Sequence, residues 1–132
     1  MTFTDHELDY FKSQRLARLA TVDRAGAPQN NPVGYHPNDD GTVDIYGRAM
    51  AETRKWRNIA ANPHVALVID DLASIDPWTV RGVEIRGTAE QVTIDVEPGG
   101  YMRPETIRIH PTKIISWGVN PPDSGMGGSR KA

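Results

Sequence analysis

Ile (10) and Val (10) together outnumber Leu (5) four to one in this chain. Branching at Cβ stiffens χ1 and crowds a helix, whereas it packs well on a pleated surface. The bias predicts a mainly β protein. With the two Phe, these residues number 27 of 132, near the lower limit for a chain that folds compactly. A β-rich core this small needs a partner surface, and a homodimer is expected.

At 132 residues the chain has the length of one domain. Its 15 Lys and Arg stand against 17 Asp and Glu, a net charge of −2 that argues against phosphate-driven binding of nucleic acid. The absence of Cys excludes disulfides, thiolate nucleophiles and thiolate metal sites. The four His (6, 36, 64 and 110) share no ligand spacing, so no metal site is expected. No apolar run approaches the ~18–20 residues of a membrane span. Met1 leads into a polar, acidic segment instead of a signal peptide. A cytoplasmic protein with no membrane partner is expected.

Thr4-Asp5-His6-Glu7 has the form of a capping box and predicts a helix over 5–13. Strands are predicted from Arg15 to Val22, Ala27 to His36 and Thr42 to Arg48, joined at the turns 23–26 and 37–41. Pro28 and Pro32 require part of the second strand to be an edge or to leave its backbone free. A second helix spans 51–61, with Trp56, Ile59 and Ala60 as its apolar stripe and Asn62-Pro63 as its stop. Val65 to Ile69 is apolar on both faces and predicts a central strand from His64 to Asp71. After a loop over 72–79, Val80 to Val96 alternates well, and Gly87 marks a bulge or bend. The last strand runs from Thr106 to Trp117, interrupted at Pro111. Residues 1–118 therefore read as a small antiparallel barrel of about six strands with two short flanking helices, and 119–132 as a flexible Gly-, Pro- and Ser-rich tail.

Gly47 to Arg57 stands out chemically. It places Arg48, Arg54, Lys55 and Arg57 against one anion, Glu52, within eleven residues of an acidic chain. Arg54 and Lys55 fall in the first turn of a helix, where the macrodipole disfavours each cation by ~0.3–1 kcal/mol. Free helix N–H groups beside two cations suit a bound anion, most simply a phosphate. A solvated basic face paired with Glu52 and Asp70 or Asp71 is the alternative.

Arg54-Lys55-Trp56-Arg57-Asn58-Ile59-Ala60-Ala61-Asn62-Pro63-His64-Val65 resembles the RKxxxIxxNPxV signature of the pyridoxamine 5′-phosphate oxidase-like split β-barrels. Asp70 to Trp78, Arg81 to Gly87, Ile109-His110-Pro111 and Ser116-Trp117-Gly118 look like an actinobacterial subfamily assigned to the deazaflavin F420. The resemblance covers roughly residues 4–118. It implies a homodimeric split barrel in which Arg54 and Lys55 hold a cofactor phosphate, with Asn58 assigned to the same site. Asn31, Pro32 and Val33 would line the tricyclic ring. Tyr46, Gly47 and Arg48 would flank ring and phosphate, and Trp78 would reach a cofactor across a dimer interface. The true oxidases present a Gln to the flavin where this chain has Gly82 and end in a segment that binds pyridoxal phosphate, so oxidation of pyridoxamine phosphate is not expected.

The implied function is an F420-dependent oxidoreductase that passes a hydride to a small organic substrate. FMN is the alternative cofactor, and a non-catalytic carrier of flavin, F420 or haem would use the same binding residues. No residue is an evident catalytic acid, since water, Tyr46 or His36 would each serve as proton source. Arg48, Arg57 and Arg81 are the cations available to the acidic tail of F420.

Overall fold

The computed structural model describes residues 2–132. Helix α1 (Asp5–Ser13) precedes strands β1 (Leu16–Val22), β2 (Pro28–Pro37) and β3 (Val43–Tyr46). A 3-10 turn (Met50–Glu52) and helix α2 (Arg54–Ala61) lead into β4 (His64–Ser74), β5 (Thr79–Thr93), β6 (Glu105–Trp117) and β7 (Gly128–Lys131). The strands pair in the order β3-β2-β1-β4-β5-β6-β7, and a further β3–β6 ladder closes the first six into an antiparallel barrel. In that ladder Val43, Asp44 and Ile45 face Ile109, Arg108 and Ile107.

The period of two along each strand decides what enters the barrel. Ala17 and Leu19, Val65, Leu67 and Ile69, and Val83 and Ile85 all point inward and are buried. β4 is central as expected, paired with β1 on one side and β5 on the other. β6 changes parity partway. Ile107 and Ile109 are buried, and so are Ile114 and Ser116. One extra residue makes this possible: Arg86 pairs with Lys113 and Gly87 with Pro111, leaving Thr112 as the bulge. A Cβ at Gly87 would fall on the His110 carbonyl oxygen, so only glycine fits opposite the bulge.

The bulge also divides the other edge of β6. Its first half pairs with β3, and its second half, Lys113 to Ser116, pairs with β7. Residues 128–131 of the tail are therefore ordered, and the barrel carries a seventh strand in place of the flexible end expected from composition. The cause is an ion pair. Arg130 on β7 reaches the fully buried Glu7 with both terminal nitrogens, Nη1 at 2.9 Å from Oε2. Asn120 Nδ2 donates to the same carboxylate at 2.8 Å. Glu7 also accepts from the Thr4 N–H, completing the capping box expected at α1, worth about 1 kcal/mol. Burial pushes the Glu7 carboxyl up, but the hydrogen bonds from Arg130, Asn120 and Thr4 outweigh it and hold the group below the usual glutamate value.

Several boundaries differ from the sequence reading, among them the third strand, which ends at Tyr46 instead of Arg48. The expected helix over 51–61 is split at Thr53, which caps α2 by accepting from the Trp56 N–H at 3.2 Å. β4 and β5 extend to Ser74 and from Thr79, shortening the loop between them to 75–78. β5 ends at Thr93, so 94–104 is a long connection to β6. No helix among the described residues is long and apolar enough to cross a membrane.

Candidate functional site

Helix α2 lies over the end of the β1–β2 hairpin. Asn58 is buried and its Nδ2 donates to Thr21 Oγ1 at 3.0 Å and to Gln29 Oε1 at 3.2 Å. Ile59 enters the core beside it, and Gln91 Nε2 donates to the Trp56 carbonyl at 2.9 Å. These contacts fix the start of α2, where Arg54 is exposed and Lys55 half-buried. Burial pulls the Lys55 ammonium below its usual pKa. Arg18, Arg81, Arg86, Arg108 and Arg130 each sit on a carboxylate. Among the described residues Arg48, Arg54 and Lys55 have no such partner. A half-buried, unpaired ammonium at the positive end of a helix is an arrangement that a bound anion relieves.

Next to this segment lies a flat floor. From Pro28 to Val33, β2 pairs only with β1, because the β2–β3 ladder begins at Gly34. Pro28 and Pro32 share one parity, which places both ring nitrogens on the unpaired side and makes this stretch the edge required by the sequence. Pro32 and Gly34 are exposed on the outer face, and a Cβ at Gly34 would meet nothing within 4 Å. Gly34 is the register partner of Tyr46, after which Gly47 and Arg48 lead toward α2. Asn31 Oδ1 is buried and has no hydrogen-bond partner, a vacancy for a donor that the described residues do not fill.

The structure sorts the residues assigned from the sequence. Arg48, Arg54, Lys55, Tyr46 and Gly47 share one continuous segment, and Pro32 and Asn31 lie on the neighbouring strand. Val33 does not line the floor: its parity is opposite to Pro32, and its side chain is buried in the core. Asn58 spends its amide nitrogen on clamping the helix. Arg81 is not a spare cation, because Nε and Nη2 bind Asp71 at 2.8 and 3.0 Å and its guanidinium lies over the Tyr10 ring. Trp78 stands at the far end of the eleven-residue β4 from α2, beside Leu16, Leu72 and Val80. Within one chain it does not join the cation segment.

Gly82 is explained by packing. A Cβ there would lie 2.6 Å from Trp117 Cζ2 and 2.7 Å from the Ile69 carbonyl oxygen. Trp117 covers this position. Tyr46 is half-buried with its ring 6.5 Å from that of His36, and its hydroxyl makes no hydrogen bond to the described residues. Burial raises its pKa, Asp44 adds to the effect and Arg108 opposes it, so the phenol keeps its proton at neutral pH.

Residues 3–117 match the family described as pyridoxamine 5′-phosphate oxidase. The chain belongs to that family. It is 44% identical over 121 residues to a 5a,11a-dehydrotetracycline/5a,11a-dehydrooxytetracycline reductase of Streptomyces rimosus, covering 90% of this chain and 85% of that protein. Among solved structures, HupZ of Group A Streptococcus superposes with a TM-score of 0.73 at 21% identity, over 97% of this chain and 98% of the other. A conserved protein of Mycobacterium tuberculosis gives 0.68 at 25% identity, over 96% and 93%. A phosphate-bearing flavin-type cofactor, as the family binds, fits the residues present. Arg54, Lys55 and the α2 N-terminus suit its phosphate, and the exposed backbone at Pro32 and Gly34 leaves room for a planar ring.

Proposed function

We propose that this family member is a reductase that uses the deazaflavin F420 to reduce a small conjugated organic compound. When bound, F420 supplies the hydride, and the protein supplies binding, orientation and exclusion of water. The observation that carries the reading is the segment from Tyr46 to Lys55, whose cations lack carboxylate partners beside an open, flat strand face. The reductase relative supports the reaction class and a small-molecule substrate. The likeness of Asp70 to Trp78 to a subfamily assigned to F420 supports that cofactor over FMN.

A homodimer is part of the proposal. Leu16, Leu72 and Val80 are exposed on the outer face of β1, β4 and β5, with Trp78 and Ile75 more exposed still at its end. A second copy covers such a patch most simply, and brings Trp78 of one subunit toward the floor of the other. Nucleic acid and membrane have no part in this reading.

Equilibrium binding of F420 and FMN to the purified protein, side by side, tests the cofactor. The expected result is an F420 dissociation constant at least about tenfold lower, matching ~1.4 kcal/mol of preference. Preferential binding of FMN overturns it.

A further inference from the structure

Helix α2 meets the β1–β2 hairpin through one polar side chain. Asn58 Nδ2 donates to Thr21 Oγ1 at 3.0 Å and to Gln29 Oε1 at 3.2 Å, so both of its protons are engaged. Thr21 and Gln29 are register partners across the hairpin, and Asn58 therefore straddles a single rung of the ladder. Asn58 and Thr21 are 5% and 2% exposed, which shields the link from water. Among the described residues no other hydrogen bond joins α2 to the hairpin.

Each side of this clamp leads to one half of the candidate site. Along α2, Asn58 follows Arg54 by four residues and Lys55 by three, so it lies on their side of the helix, one turn or about 5 Å along the axis. Along β2, Gln29 stands three residues before Pro32 and five before Gly34, or about 10 and 17 Å of extended strand. From Pro28 to Val33 the other edge of β2 has no ladder partner, so no backbone bond fixes how far this strand lies from α2. The Asn58 amide does.

A phosphate and a planar ring joined by a short chain form a bivalent ligand. Such a ligand engages both ends at once only when their separation in the protein matches the chain. A mismatch forfeits the gain of linking without removing either contact. We propose that Asn58 is a positioning residue that, through Thr21 and Gln29, sets the spacing between the phosphate anchor at Arg54 and Lys55 and the ring face at Pro32 and Gly34. This rests on the cofactor reading above. With both amide protons committed, Asn58 acts through the elements it joins.

Two variants open the clamp: Asn58→Leu, of similar volume, and Gln29→Met, at a half-buried strand position, which cuts only the link to β2. Binding to the whole chain is measured for F420 and for the same deazaflavin on its ribityl chain without the phosphate, each with Lys55 intact and with Lys55→Ala. Gln29→Met should weaken F420 about tenfold and leave the phosphate-free ring within about twofold. Lys55→Ala should cost F420 at least about threefold less affinity beside Gln29→Met than it does alone, because the anchor is already out of reach. Asn58→Leu should show the same pattern, larger in size. Equal weakening of F420 and the phosphate-free ring, or an undiminished cost of Lys55→Ala, overturns the proposal, since a merely structural role loosens the site as a whole and leaves the two effects additive. So does an F420 affinity that neither variant changes. A parent that prefers FMN to F420 fails the cofactor reading alone, and FMN compared with riboflavin then decides the clamp by the same criteria.

Discussion

Replacing Arg130 by Met tests how the end of the chain is held. The substitution keeps an apolar stem of similar length but removes the cation from Glu7, whose side chain is wholly buried. Removing one member of a buried pair costs about 3–5 kcal/mol, because the remaining charge is stranded. Glu7 keeps its hydrogen bonds from Asn120 and Thr4, and the Arg130 side chain is itself 19% exposed. These place the loss near the lower bound, about 3 kcal/mol at pH 7, or roughly 10 °C in melting temperature for a domain of this size. The pH dependence is diagnostic. In the parent the Glu7 carboxyl is held below its unfolded value, so its contribution is present above that value and fades as pH falls through the folded one. In the variant, burial acts without the cation and raises the folded pKa, so stability is full at low pH and lost as pH rises. The gap between the two proteins should be widest at neutral pH and narrow through about pH 5 to 4. Urea unfolding at pH 7 and near pH 4.5 reads it directly, and Glu7→Gln added to Arg130→Met should recover part of the loss. A gap under about 1 kcal/mol, or one that does not change with pH, would refute the reasoning.

Lys55→Ala should weaken F420 binding by about 1.5–3 kcal/mol, the worth of a charged hydrogen bond, while the melting temperature holds or rises. Titration calorimetry beside a melt checks both, and unchanged affinity with a lower melting temperature would make Lys55 structural. Gly87→Ala should cost at least about 2 kcal/mol in denaturant unfolding, because the new methyl meets the His110 carbonyl on a backbone that cannot step aside. A loss below about 0.5 kcal/mol would mean that the bulge yields. Light scattering at micromolar protein should give twice the chain mass of 14.6 kDa, and Leu72→Lys should shift it toward the single chain. A parent that scatters as one chain refutes the dimer.

Most strands were legible because alternation is a local signal, and each half-buried strand carries it in consecutive residues. The capping box was legible for the same reason, being set by neighbours in sequence, whereas Gly87 marked a bulge that lies across the ladder at Thr112. The Arg54-Lys55 cluster was readable from charge alone, though its lack of carboxylate partners emerges only in three dimensions. β7 was not legible. Its four residues carry no apolar alternation, and what orders them is Glu7, 123 residues away. Arg81 looked free until Asp71 appeared across the ladder from it. Val33 was assigned to a ligand by motif matching, and parity along β2 turns its side chain into the core.

The closure of β3 onto β6 also governs how fast the molecule can form. The hairpins β1–β2 and β4–β5 join near neighbours and can zip early. The barrel ring exists only after Asp44 finds Arg108, 64 residues along the chain. Loops of that length carry an entropic toll before any contact rewards them, and folding rates fall as mean contact separation grows. The chain should therefore fold in milliseconds to seconds, with the outer face of β4 unshielded meanwhile. Pro28 and Pro32 help in that interval: an open strand edge interrupted by two prolines is a poor template for another molecule's strand.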